Sequence, residues 1–233
     1  CRRTPRSLRR RYDHLAEFER LIPMRIPFPS IKYPLVAILR GLKPEETHDV
    51  VSVLIETGFR AIEIPLNSPE PFKSIEIAAK LAPADCLIGA GTVLSVDDVE
   101  NLDKAGGKLM VSPNVDVEVI TAAREKGMVT LPGVLTPTEA LLAAKAGATG
   151  LKFFPASIIG PAGIVAIRTI LPKDLLIAAV GGVSDKNFSD YTKAGITAFG
   201  LGTSLYKPGL TAAEVKERAI LTINAYDDAI KEA

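Results

Sequence analysis

From residue 35 onward the chain alternates between two hydrophobic rhythms. Amphipathic stretches of helical period are followed by short apolar runs rich in aliphatic and β-branched residues, the pattern of buried strands. The breaks between them fall at "ETG" (Gly58), "LAP" (Pro83), "KAG" (Gly106), "EKG" (Gly127), "KAG" (Gly147), "LP" (Pro172) and "KAG" (Gly195), 20 to 25 residues apart. Glycine just past a helix that carries lysine is a C-terminal cap, and proline there prevents the helix from continuing. The apolar run "LVAILRG" precedes the first helix, and each break leads into another: "RAIEI", "CLIGAG", "KLMVSP", "MVTLPG", "GLKFFP", "LIAAVGG" and "TAFGLG". Eight strands that alternate with helices at this period predict parallel βαβ units. Eight such units close naturally into a (β/α)₈ TIM barrel, which is the expected fold. An open doubly wound sheet is the alternative, but "IGAGT" holds only a fragment of a dinucleotide fingerprint.

In a barrel of this type the site gathers at the C-terminal ends of the strands, so the polar residues there come next. The first predicted strand ends at Arg40, the second carries Glu63 and the third runs into Thr92. The fourth meets Ser112 and Asn114, and the sixth holds Lys152. Lys152 lies in an apolar run, between Leu151 and Phe153. A buried ammonium without a partner tends to lose its proton, so this lysine is either paired with a buried acid or is a neutral amine able to attack a carbonyl. Alternation along "RAIEIP" puts Glu63 on the face opposite Ile62 and Ile64, pointing inward, as an ion-pair partner of Lys152 or Arg40 or as a proton shuttle. The fork of Arg40 suits a carboxylate or a phosphate. Gly91 and Thr92, in "GAGT", allow backbone amides to approach an anion closely, although Thr92 also fits the entry to a helix. Gly181 and Gly182 after the seventh strand, and Gly202, Thr203 and Ser204 after the eighth, occupy the position at which such barrels bind phosphate.

Composition adds limits to this picture. The 233 residues are enough for one barrel or for two smaller domains, and no apolar run approaches eighteen residues. With neither a membrane span nor a secretory segment, the expectation is a soluble cytoplasmic protein without a membrane partner. Two cysteines, Cys1 and Cys86, make no disulfide framework, and two histidines, His14 and His48, assemble no histidine-rich metal site. Residues 1 to 23 hold seven arginines against three acids, which leaves 21 basic and 24 acidic residues after them. No aromatic residues interleave "RRTPRSLRRR", so a nucleic-acid partner is not expected. "MRIPFPSIKYP" from Met24 reads as a natural start. Residues 1 to 32 are therefore expected to be an N-terminal extension, of which 1 to 23 lie outside the domain, and residues 33 to 233 to be the barrel.

The motifs "AILRG", "EIPLNSP", "IGAGTVL", "SPN", "PGVLTPTEA", "LKFFPAS", "AVGGV" and "GLGTSLY", in that order over residues 33 to 231, resemble the class I 2-keto-3-deoxy-6-phosphogluconate aldolases. The resemblance implies a Schiff-base lysine at Lys152 and a general acid/base at Glu63. It implies substrate contacts from Arg40, Gly91, Thr92, Asn67, Pro113, Phe154 and Val180, and a phosphate held around Gly181, Gly182, Gly202, Thr203 and Ser204. Thr203 departs from the serine common at its position, though either hydroxyl can bind phosphate. The implied partners are a phosphorylated keto-deoxy sugar acid and further copies of the chain, as a homotrimer, with neither metal nor organic cofactor. The gluconate branch reads "TGGV" and "LRT" where this chain has "VGGV" (Val180) and "PLNS" (Asn67). Without a hydroxyl at Val180 one means of orienting the C4 hydroxyl is missing, which favours the galacto substrate. The alternatives are the gluco epimer and a non-catalytic phosphate-binding barrel.

Overall fold

The computed structural model describes residues 22–233. The N-terminal arginine cluster, with Cys1 and His14, lies outside the described residues. In chain order the elements are β1 (Leu35–Ile38), α1 (Pro44–Glu56), β2 (Ala61–Pro65), α2 (Pro71–Leu81), β3 (Leu87–Gly91), α3 (Val96–Lys104), β4 (Leu109–Val111), α4 (Val117–Glu125), β5 (Val129–Leu131), β6 (Gly133–Val134), α5 (Pro137–Lys145), β7 (Gly150–Phe153), α6 (Ala156–Arg168), β8 (Leu176–Val180), α7 (Phe188–Thr192), β9 (Ala198–Leu201) and α8 (Ala212–Lys231). The break glycines 58, 106, 127, 147 and 195 adopt φ of 72° to 106°, the left-handed region that a C-terminal cap needs. Helix starts are fixed by side chains: Ser95, Thr136 and Thr211 each form a reciprocal capping box with the acid three residues on.

All the strands pair in parallel, in the order β5-β4-β3-β2-β1-β9-β8-β7-β6. Among the described residues the expectation of eight strands needs correction to nine, because the fifth segment is divided at Pro132. Proline has no N–H for a ladder, so regular pairing stops there. Its carbonyl still accepts from Lys152 N–H at 3.0 Å. On the N-terminal side of Pro132 the chains of β5 and β7 are joined by a reciprocal clasp, in which Thr130 N–H donates to Thr149 Oγ1 and Thr149 N–H to Thr130 Oγ1, both at 3.0 Å. The ends of the sheet, β5 and β6, are continuous through Pro132, so the sheet closes on itself as a barrel.

Strand alternation sorts the core into two layers. Outward residues such as Leu35, Ala37, Ile62, Ile64 and Met110 join the large apolar layer between strands and helices. Inward residues Val36, Ala61, Leu109, Val111, Val129 and Leu131 form a smaller core inside the barrel. Ile26, Phe28 and Ile31 pack against that inner core and cover the N-terminal end of the barrel. Closing one end with apolar side chains leaves the C-terminal end as the open one.

Candidate active site

The same alternation that buries Val36 and Ala61 carries Glu63 to the barrel interior, one step further along β2, with Ile62 and Ile64 turned to the helices. Glu63 is 2% exposed, and its Oε2 is buried without a hydrogen-bond partner. Its space comes from Gly91: a Cβ there would stand 1.9 Å from Glu63 Oε2. Among the described residues Glu63 makes no ion pair within 4.0 Å. Burial therefore dominates its titration and pushes the carboxyl up to about 7, with the charges of Lys152 and Arg40 pulling the other way.

Lys152 lies on β7, paired in register with Gly133 of β6 and Ala178 of β8, and is 8% exposed. Its Nζ stands 5.0 Å from the centroid of the Phe154 ring, the next inward side chain of the same segment. Burial lowers the proton affinity of its amine; Glu63 opposes that shift and Arg40 adds to it. The three charged groups feel one another, and the dry surroundings decide the direction of both shifts.

A cavity of about 600 Å³ opens at the C-terminal ends of β1, β7, β8 and β9; Phe154, whose ring Lys152 approaches, lines it, while Lys152, Glu63 and Gly91 do not. Eight of the residues singled out from the sequence line it: Arg40, Phe154, Val180, Gly181, Gly182, Gly202, Thr203 and Ser204. Gly181 and Gly182 have φ of 89° and 79°, which suits glycine alone without strain. Val180 packs against the bare Gly200, where a Cβ would come within 2.7 Å of a Val180 methyl. Asn67, Thr92 and Pro113 belong to the same rim, at the ends of β2, β3 and β4, but not to this cavity's lining. Thr92 has φ 59°, a left-handed conformation unusual for a β-branched residue. Asn67 is exposed, and Pro113 packs by its backbone against Gly133. Ser112 is turned to local structure, with its Oγ donating to the carbonyl of Asn114 at 2.8 Å. His48 is exposed on α1.

A family model of the KDPG and KHG aldolases matches residues 30–221. The chain belongs to the KDPG and KHG aldolase family. It is 68% identical over 203 residues to a probable 2-dehydro-3-deoxy-6-phosphogalactonate aldolase of Rhizobium meliloti, covering 87% of this chain and 96% of that one. It is 42% identical over 200 residues to the 2-dehydro-3-deoxy-6-phosphogalactonate aldolase of Escherichia coli, covering 86% and 98% respectively. A solved structure described as native KDPGal superposes with a TM-score of 0.85 at 41% identity, covering 88% of this chain and 99% of that one. The protein is thus an aldolase, a lyase by reaction class, on a barrel of the TIM type.

Sequence reading of this aldolase missed Ser184 and Lys207, which line the cavity beside the glycines, and Ser68, whose Oγ accepts the N–H of Gly41 at 2.9 Å. Ser184 was the most accessible of the three, since it follows "GGV" directly. Nothing local marks Lys207 or Ser68; only the meeting of separate loops brings them to the rim. Among the described residues no three His, Cys, Asp or Glu side chains gather as a metal-ligand set, and no helix is long and apolar enough to cross a membrane.

Proposed function

We propose that this aldolase cleaves 2-dehydro-3-deoxy-6-phospho-D-galactonate to pyruvate and D-glyceraldehyde 3-phosphate through a Schiff base on Lys152. The observation that carries the reading is the buried amine of Lys152, held toward its neutral form in the same barrel interior as the unpartnered carboxyl of Glu63. The neutral amine attacks the C2 ketone, and loss of water gives an iminium ion. Glu63 takes the proton of the C4 hydroxyl as the C3–C4 bond breaks, and the bonding pair passes into the iminium to give an enamine. Glyceraldehyde 3-phosphate leaves. Protonation at C3 and hydrolysis, which returns the water lost earlier, release pyruvate and the free amine.

Arg40 adds positive charge beside Lys152, which disfavours the ammonium, and presents a fork to the substrate's anionic end. Gly91, Thr92, Asn67, Pro113 and Phe154 form the remaining wall around the keto acid. The backbone at Gly181, Gly182 and Gly202, with the hydroxyls of Thr203 and Ser204, receives the phosphate. Val180 presents methyl groups to the cavity, where a hydroxyl would hydrogen-bond the substrate. This, with the two relatives named as galactonate-type aldolases, supports the galacto epimer. Family likeness also supports assembly as a homotrimer.

Borohydride reduction in the presence of pyruvate is the direct test. A covalent adduct that maps to Lys152 is expected, and an unchanged intact mass would sink the mechanism. For the substrate, kcat/KM is compared for the two C4 epimers. The galacto epimer should be preferred, with Val180→Thr moving the ratio about tenfold toward the gluco epimer. A gluconate preference in the unaltered protein would reassign the substrate.

A further inference from the structure

The turn after β8 contains two consecutive residues in left-handed conformations, Gly181 and Gly182, beyond the last ladder pairing of that strand. A glycine pair has many accessible conformations, so something outside the turn has to select one. Two neighbours do so. Ser157 N–H, at the start of α6, donates to the carbonyl of Gly181 at 3.0 Å. Asn187 supplies the other brace, with Nδ2 donating to the carbonyl of Gly182 and Oδ1 accepting from Ser184 N–H, both at 2.9 Å.

The position of Asn187 makes this use of its amide informative. It is the residue that enters α7, where asparagine ordinarily caps its own helix, yet its side chain makes no capping hydrogen bond there. Both polar ends of the amide are spent on the turn instead. In a planar trans peptide the carbonyl and the following N–H point in opposite directions. Drawing the Gly181 and Gly182 carbonyls toward Ser157 and Asn187 therefore turns the N–H groups of Gly182 and Val183 away from those braces. Gly182, Val183 and Ser184 all line the cavity.

We propose that Asn187 is a positioning residue for the phosphate site: by holding the Gly182 carbonyl and the Ser184 N–H, it keeps the turn in the one conformation that presents the amides of Gly182 and Val183 to the substrate's phosphate. The inference rests on the phosphate assignment made above. It assigns Asn187 no contact with substrate and no part in the chemistry at Lys152.

Two variants test it, Asn187→Ala, which removes both hydrogen bonds, and Asn187→Asp, which keeps the acceptor for Ser184 but sets an oxygen against the Gly182 carbonyl. In both, KM for the phosphorylated substrate should rise about five- to tenfold, the size of one or two lost hydrogen bonds, with kcat held within about twofold. The inhibition constant of inorganic phosphate should rise in parallel. Borohydride trapping of pyruvate on Lys152, which needs no phosphate, should proceed as in the unaltered protein. Unchanged KM and phosphate inhibition in folded variants would overturn the proposal. A proportional loss of pyruvate trapping, or loss of the fold in both variants, would overturn it equally by making Asn187 a general structural residue. If phosphate does not inhibit the unaltered protein, it is the phosphate assignment itself that falls.

Discussion

A carboxylate taken out of water without a hydrogen bond keeps its proton to higher pH, and Glu63 does so up to about 7 from an ordinary 4.5. Between those values the folded chain holds a proton that the unfolded chain releases, so Glu63 makes stability fall as pH rises through that window. The effect is on the order of 3 kcal/mol at most. Lys152 has the other sign, since its folded amine sheds a proton that the unfolded chain retains up to the ordinary 10.5, and stability rises with pH across that interval. Replacing Glu63 with Gln removes the first effect and, with the opposing carboxylate gone, lets burial lower the Lys152 amine further, which acts in the same direction. The Tm of Glu63→Gln should gain on the unaltered protein by roughly 5–10 °C between about pH 5 and pH 8. Parallel Tm curves would show that another group titrates. Gly91 belongs to the same account, because a methyl there would occupy the position of Glu63 Oε2. Gly91→Ala should lower kcat by about 100-fold through displacement of that carboxyl, while circular dichroism stays unaltered. A kcat close to that of the unaltered protein would show that Glu63 works from another position.

At the scale of elements, the break glycines and inward alternation were legible because each depends on a few neighbouring residues. Gly58, Gly106, Gly127, Gly147 and Gly195 cap helices through local backbone geometry, and Glu63 faces inward because Ile62 and Ile64 cannot. The division of the fifth strand was less legible. Pro132 lies within the apolar run "MVTLPG", and only its neighbours across the barrel reveal a ladder interrupted there and replaced by the Thr130–Thr149 clasp. That clasp predicts a stability effect: Thr149→Val strands the buried N–H of Thr130 and should cost about 1–3 kcal/mol in urea unfolding. Because Thr130→Val removes the other bond of the clasp and leaves this one intact, the double variant should lose about the sum of the two singles. A Thr149→Val protein as stable as its parent would mean that the clasp contributes nothing to closure.

For the whole molecule, closure at one end by Ile26, Phe28 and Ile31 and a cavity at the other set the direction from which substrate enters. Leu94 and Ile158 remain 53% and 73% exposed, apolar side chains that a contact between copies would cover. Light scattering on the eluting protein should give three times the 24.8 kDa of a single chain. A monomer at micromolar concentration would remove the trimer from the proposal. The α/β repeat, the inward charges and the glycine-rich strand ends are legible in the amino-acid order, since these follow from periodicity and from the conformational freedom of single residues. It takes the folded chain to reveal that Gly91 makes room for Glu63, that Asn187 reaches back to Gly182, and that Ser184 and Lys207 share a cavity with Arg40. Those relations join residues on different loops, and their distances exist only once the barrel has closed and brought its strand ends together.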